Sequence, residues 1–157
     1  MILLPEALSQ FLENAIECDG ILALPQDYPQ SDNLEDFQSG YKVDAITNKD
    51  ITGYQQGDFQ PSWYVISRNY FLDPFFINID EEEKGFPVYF APCGQGKWQP
   101  ILASASLSTF KNELHDIKNL EDNSAVLLDY LEANTDITNE FWREVHEAVA
   151  ESNNDDD

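Results

Sequence analysis

Few residues in this chain have the chemistry to build a catalytic or metal site. They are Cys18, Cys93, His115 and His146, together with the stretch CGQGK at 93–97. A cysteine nucleophile needs a base within hydrogen-bonding reach. Both histidines fall on predicted C-terminal helices, and no local pattern brings either one to Cys93. Zinc sites draw on closely spaced Cys and His pairs, whereas these four residues are scattered singly along the chain. A phosphate-binding loop has the form GxxxxGK[ST]. Here Ala91 stands where its first glycine belongs and Trp98 replaces the hydroxyl residue. The dinucleotide fingerprint GxGxxG fails as well, with Gln99 in the place of its third glycine. DEEEK at 80–84 lacks the alternating oxygen ligands and the glycine of a calcium loop. The pattern therefore predicts no catalytic residue, no metal and no cofactor. CGQGK reads as a glycine-rich hairpin loop, with Lys97 turned to solvent and Cys93 inert.

The elements that surround these residues follow from hydrophobic period. Residues 5–17 predict a first helix, with Pro5 in its first turn and Leu8, Phe11, Leu12, Ala15 and Ile16 on one stripe. Residues 31–37 add a short helical turn after a stretch rich in Pro, Asp and Asn. The period then shortens. YKVDAI (41–46), SWYVISR (62–68), PFFINI (74–79), FPVYFA (86–91) and WQPILAS (98–104) are aromatic and β-branched runs separated by turn residues. In PFFINI, Phe75, Ile77 and Ile79 share one face, opposite Phe76 and Asn78. Short connections make the strands antiparallel, and Pro87 and Pro100 mark strand starts, edges or bulges. DEEEK reads as a solvated hairpin turn.

Helical spacing returns near Ser106 or Ser108, in SLSTFKNELHDIKNL, SAVLLDYLEA and TNEFWREVHEAVAE, the last with Thr138 as its predicted cap. The expected architecture is α+β: one domain over residues 1–151, with an N-terminal helix, an antiparallel sheet of about five or six strands, and C-terminal helices. Residues 152–157, SNNDDD, form the expected disordered acidic tail.

Composition narrows the partners. Thirty acidic residues against eight basic ones give a net charge of -22. Such a field repels nucleic acid and anionic lipid and attracts basic proteins; it also promotes solubility. No apolar run approaches the roughly 20 residues that span a bilayer. The start of the chain lacks the basic region of a signal peptide, and two cysteines fit a reducing compartment. These features predict a cytoplasmic protein that binds neither membrane nor nucleic acid.

The order of strands carries a resemblance. PSWYVISRNYFLDPFFINI is similar to the part of the SUKH superfamily in which a Trp-led strand leads through a turn to a Gly-Asp-Pro-like strand. FPVYFAPCGQGKWQPILASASLSTFKNEL resembles the family's next segment: a Val-Tyr strand, a Gly-bearing turn, a Trp strand, Ala-Ser, and a helix led by Leu and Phe. Trp63, Asp73, Pro74, Val88, Tyr89, Trp98, Ala103, Ser104 and Phe110 take the family's positions, while Leu72 replaces the usual glycine before Asp73. The likeness covers about residues 60–115, and LPEALSQFL loosely resembles the family's N-terminal Leu-Pro helix. This family groups fungal regulators of cell-wall glucan synthesis with bacterial immunity proteins that neutralise secreted toxins. The resemblance implies a non-catalytic domain that binds a cognate toxin, plausibly a nuclease with a basic surface.

Two alternatives stand beside it: a regulatory scaffold, and a small-ligand binder lined by Tyr41, Tyr54, Trp63, Tyr89 and Trp98. For the toxin reading, the expected contact residues are Asp80, Glu81, Glu82 and Glu83, with Asp44 and Asp58 as outer contributors. Rim charges of this kind set association rate through electrostatic steering.

Overall fold

The computed structural model describes residues 4–155. Pro5 precedes the first helix, α1 (Glu6–Glu13), which buries Leu8, Phe11 and Leu12. It ends short of the predicted residue 17. The Asn14 side-chain amide donates to the Gln10 carbonyl at 2.9 Å and Asn14 leaves helical dihedrals. Such local side-chain bonds compete with helix continuation.

Four strands form an antiparallel meander: β1 (Trp63–Arg68), β2 (Pro74–Asn78), β3 (Val88–Phe90) and β4 (Ile101–Ser104), hydrogen-bonded in that order. The fold is α+β as expected, but the sheet has four strands rather than five or six. Tyr41–Ile46 is not a strand. The Asp44 carboxylate accepts the amides of Ile46 at 2.8 Å and Thr47 at 2.9 Å, and Asn48 adopts φ 60, so the chain turns instead of extending. Pro87 and Pro100 stand directly before β3 and β4, where a missing N–H breaks no ladder.

The β1 edge, opposite its pairing with β2, is closed by a side chain. Gln38 is 4% exposed, and its carboxamide acts as a surrogate peptide. It donates to the Val65 carbonyl at 2.9 Å and accepts the Val65 amide at 2.8 Å. Edge groups that would otherwise template another strand are thereby satisfied.

Three helices complete the chain. Ser106 caps α2 (Leu107–Leu120) by accepting the Thr109 amide, and Asn123 caps α3 (Ser124–Asn134) through Val126. For α4 (Glu140–Asp155), Asn139 accepts the Phe141 amide at 2.9 Å, while the Thr138 hydroxyl binds Asp136; Asn139, not Thr138, is the cap. α4 includes residues 152–155 of the expected disordered tail, and residues 156–157 lie outside the described residues. Trp142 ties α4 to β4 by donating to the Ala103 carbonyl at 2.6 Å.

Strand alternation divides the apolar residues between the two faces of the sheet. Phe75 and Ile77 enter the main core with α1, α2, α3 and α4 residues such as Phe11, Phe110, Leu127 and Phe141. Phe76, between them in sequence, enters a second cluster with Tyr41, Phe59, Val65 and Ala91. Among the described residues, no α-helix contributes to this second cluster; Trp63, Tyr89 and Trp98 pack against it and stay partly exposed.

Candidate partner-binding surface

The acidic run lies in the β2–β3 hairpin connection, as read from the sequence, and is built as two 3-10 turns that meet at a kink at Glu81 (φ -102, ψ 26). A 3-10 segment spans Ile79–Lys84, with the Asn78 side chain accepting the Asp80 amide at 2.9 Å. Gly85 closes it with φ 77, a conformation that favours glycine, and a Cβ there would stand 3.2 Å from that of Ser106. The segment turns Asp80, Glu82 and Glu83 to solvent and Glu81 inward.

Glu81 faces the sheet. The Tyr89 hydroxyl donates to its two carboxylate oxygens at 2.9 and 3.2 Å, and Lys84 lies 3.5 Å away. Burial, then the Glu81 carboxylate, pushes the Tyr89 phenol up to about 12, so it remains a proton donor.

Beside this contact lies an aromatic array. Trp63 stacks on Phe76 with centroids 4.8 Å apart and meets Phe59 edge-on at 5.1 Å. Phe76 stacks on Tyr89 at 5.9 Å, and Phe59 meets Trp98 edge-on at 5.6 Å. These separations fall in the range where aromatic pairs attract beyond their buried area. Two open grooves of about 460 and 880 Å³ adjoin along Trp63 and Pro100. Glu81, Lys84 and Tyr89 line the first; Asp58, Lys97 and Trp98 line the second.

The predicted contact residues are thus only partly brought together. Glu81 and Asp58 border adjoining grooves, with Asp80, Glu82 and Glu83 on the same short helix as Glu81. Asp58 also holds its own loop, accepting the Gln55 amide at 3.0 Å. Asp44 lines neither groove; its backbone hydrogen bonds hold its carboxyl below the usual range and tie it to its turn. Of the aromatics proposed to line a pocket, Trp63, Tyr89, Trp98 and Tyr54 line these grooves, whereas Tyr41 is buried beneath them. Phe59, at the centre of the cluster, is the residue the sequence did not reveal. Its only signal was an aromatic side chain among Gly57, Asp58 and Pro61.

The reactive side chains lie elsewhere. Cys93 donates its thiol toward the Phe71 carbonyl at 3.6 Å, and burial with Asp73 raises its pKa. Cys18 is fully buried and pushed up to about 12 by burial. Both are held as neutral thiols, the poorly nucleophilic form. His115 lies 3.8 Å from Asp116 and His146 lies 3.5 Å from Glu132. Among the described residues, no group of three His, Cys, Asp or Glu side chains is placed to hold a metal, and no helix is long and apolar enough to cross a membrane.

No protein-family model, curated protein or solved structure matches this chain.

Proposed function

We propose that this chain is a non-catalytic protein-binding domain of the SUKH type, a cytoplasmic immunity protein that neutralises a toxin presenting a basic surface. The observation that carries the reading is the junction of an acidic helix with an aromatic groove through Glu81 and Tyr89. Interfaces concentrate affinity in a few aromatic anchors surrounded by a polar rim. Trp63 and Tyr89, backed by the buried Phe76, are suited to the first part, and Asp80, Glu82 and Glu83 to the second. A net charge of -22 adds long-range attraction for a basic partner.

A second reading draws on groove size. About 880 Å³ lined by Tyr54, Trp63 and Trp98 is room for a small ligand, and Gln56, Gln60 and Asp58 supply polar contacts. The test is co-purification. Tagged chain produced together with the product of its adjacent gene is expected to elute as a stoichiometric complex. A tagged chain that elutes without that protein but with a small molecule bound would move the assignment to the second reading.

A further inference from the structure

The opposite end of β2 from the acidic helix presents a second surface. Residues 69–73 turn the chain from β1 into β2 and expose three consecutive apolar side chains: Tyr70 at 65%, Phe71 at 57% and Leu72 at 56%. Leu22, 43% exposed, lies beside them, its carbonyl accepting the Tyr70 amide at 3.2 Å.

This tip is held rigidly. Asn69 is 3% exposed and its side-chain oxygen accepts the amides of Phe71 at 2.9 Å and Asp73 at 3.0 Å. The Tyr41 hydroxyl donates to the Leu72 carbonyl at 2.7 Å, and Asp73 accepts the Cys93 amide at 2.9 Å. Leu72 itself adopts φ 69. A leucine in left-handed backbone costs about 1–2 kcal/mol. Such strain persists where the surroundings over-determine it.

The tip borders a groove of about 550 Å³ that runs between the Gly20–Ala23 segment and helices α3 and α4. Leu22, Phe71 and Leu127 give it an apolar lining, and its charged lining residues are all carboxylates: Asp73, Glu121, Glu144 and Glu151. One oxygen of Glu121 is buried without a hydrogen-bond partner. The Glu144 carboxyl is raised by burial and then by Asp73 and its helical neighbours Glu147 and Glu140, with Arg143 offsetting only part of the shift, so an incoming cation would favour its charged form. A second copy of this chain, nucleic acid and anionic lipid all carry the wrong sign for this groove.

We propose that the groove docks a basic amphipathic segment of a protein, whose apolar side chains cover Leu22, Phe71 and Leu72 while a lysine or arginine meets Glu121 and Glu144. Preorganisation of the tip lowers the ordering cost of that contact. The inference does not depend on the toxin reading, because it concerns a different surface and the chemistry of a segment rather than the identity of a partner.

The test is titration of the isotope-labelled full chain with a helical leucine-lysine peptide at amphipathic spacing, at about 150 mM salt so that diffuse attraction is screened. Amide shifts are expected to concentrate at Leu22, Phe71, Leu127 and Glu144. Replacing the peptide's leucines by serine, or introducing Phe71→Ser, is expected to weaken binding about tenfold or more; Phe71 is exposed, so retained amide dispersion will report an intact fold. Joint Glu121→Lys and Glu144→Lys is expected to abolish it, and reversal of Asp80, Glu82 and Glu83 to leave it unchanged. Shifts scattered over the acidic surface, undiminished binding by the serine peptide or Phe71→Ser, or no binding would each overturn the proposal. Because no toxin enters the experiment, failure here leaves the toxin reading standing.

Discussion

The Tyr89 hydroxyl donates one proton shared between both oxygens of the Glu81 carboxylate, at 2.9 and 3.2 Å. One end of this pair belongs to the acidic 3-10 segment and the other to the aromatic groove, so charge and apolar surface are held in fixed register. Tyr89→Phe removes the tether while keeping the ring. A hydrogen bond to a charged group contributes about 1.5–3 kcal/mol, and the partly exposed position reduces that to roughly 1 kcal/mol. Urea unfolding is expected to show a lower midpoint with an unchanged slope. An unshifted midpoint would mean that Glu81 is held by other contacts.

Trp63 supports the fold as well as lining both grooves. It stacks on Phe76 and packs edge-on against Phe59. Trp63→Ala is expected to destabilise the chain by about 3 kcal/mol, and Trp63→Phe by less than about 1.5 kcal/mol. Thermal melting of both variants checks the order. Wild-type stability in Trp63→Ala would show that the aromatic array is not a packed unit.

Much of this architecture is legible in the sequence, and its exceptions have local causes. PFFINI declares both faces of the sheet because Phe75 and Ile77 alternate with Phe76. Ser106 and Ser108 both announce α2, since a serine before an apolar stripe is a recognised start, and the structure selects Ser106. Tyr41–Ile46 reads as a strand by residue type, yet the Asp44 carboxylate captures two amides and turns the chain. The grooves are legible only in part: Tyr54, Trp63, Tyr89 and Trp98 stand out as aromatics that could line a pocket, but the buried Phe59 that joins Trp63 and Trp98 from a separate segment does not. Nor does the sequence disclose that Glu81 faces inward while its acidic neighbours face out. That division comes from the kink at Glu81, which breaks the 3-10 segment, and from the reach of Tyr89.

Glu113 carries a pH-dependent cost. It accepts from the Ser104 hydroxyl at 2.7 Å, and burial pushes its carboxyl from 4.5 up to about 6. A carboxyl whose pKa is raised on folding binds more protons in the folded chain between these two values. Stability from this group is therefore lost as pH rises through that window, and the full loss is present above about 6. Glu113→Gln is expected to gain about 1 kcal/mol at neutral pH, after discounting for the solvent that reaches the side chain. The gain vanishes below about 4.5, where both side chains are neutral. Paired denaturant melts at neutral and acid pH check it; a gain that persists in acid would assign the effect to packing.

Leu72 tests backbone strain directly. Leu72→Gly removes the left-handed penalty of about 1 kcal/mol, partly offset by glycine's greater freedom when unfolded. The melting temperature is expected to hold or rise, despite the loss of an entire side chain. A clear fall would show that the exposed leucine makes stabilising contacts.

Charge reversal at Asp80, Glu82 and Glu83 leaves the Glu81–Tyr89 contact in place. For the proposed toxin complex, association is expected to slow several-fold at low ionic strength, with dissociation nearly unchanged. Association and dissociation rates on a toxin-coated sensor separate the two effects. Faster dissociation with unaltered association would place these carboxylates inside the interface rather than on its rim.

The most direct measurement is a titration of the purified product of the adjacent gene, the proposed toxin, with the purified chain, following the activity of that product. Activity is expected to fall to zero at one equivalent, with a complex whose formation slows as salt rises. Full toxin activity in the presence of excess chain would contradict it.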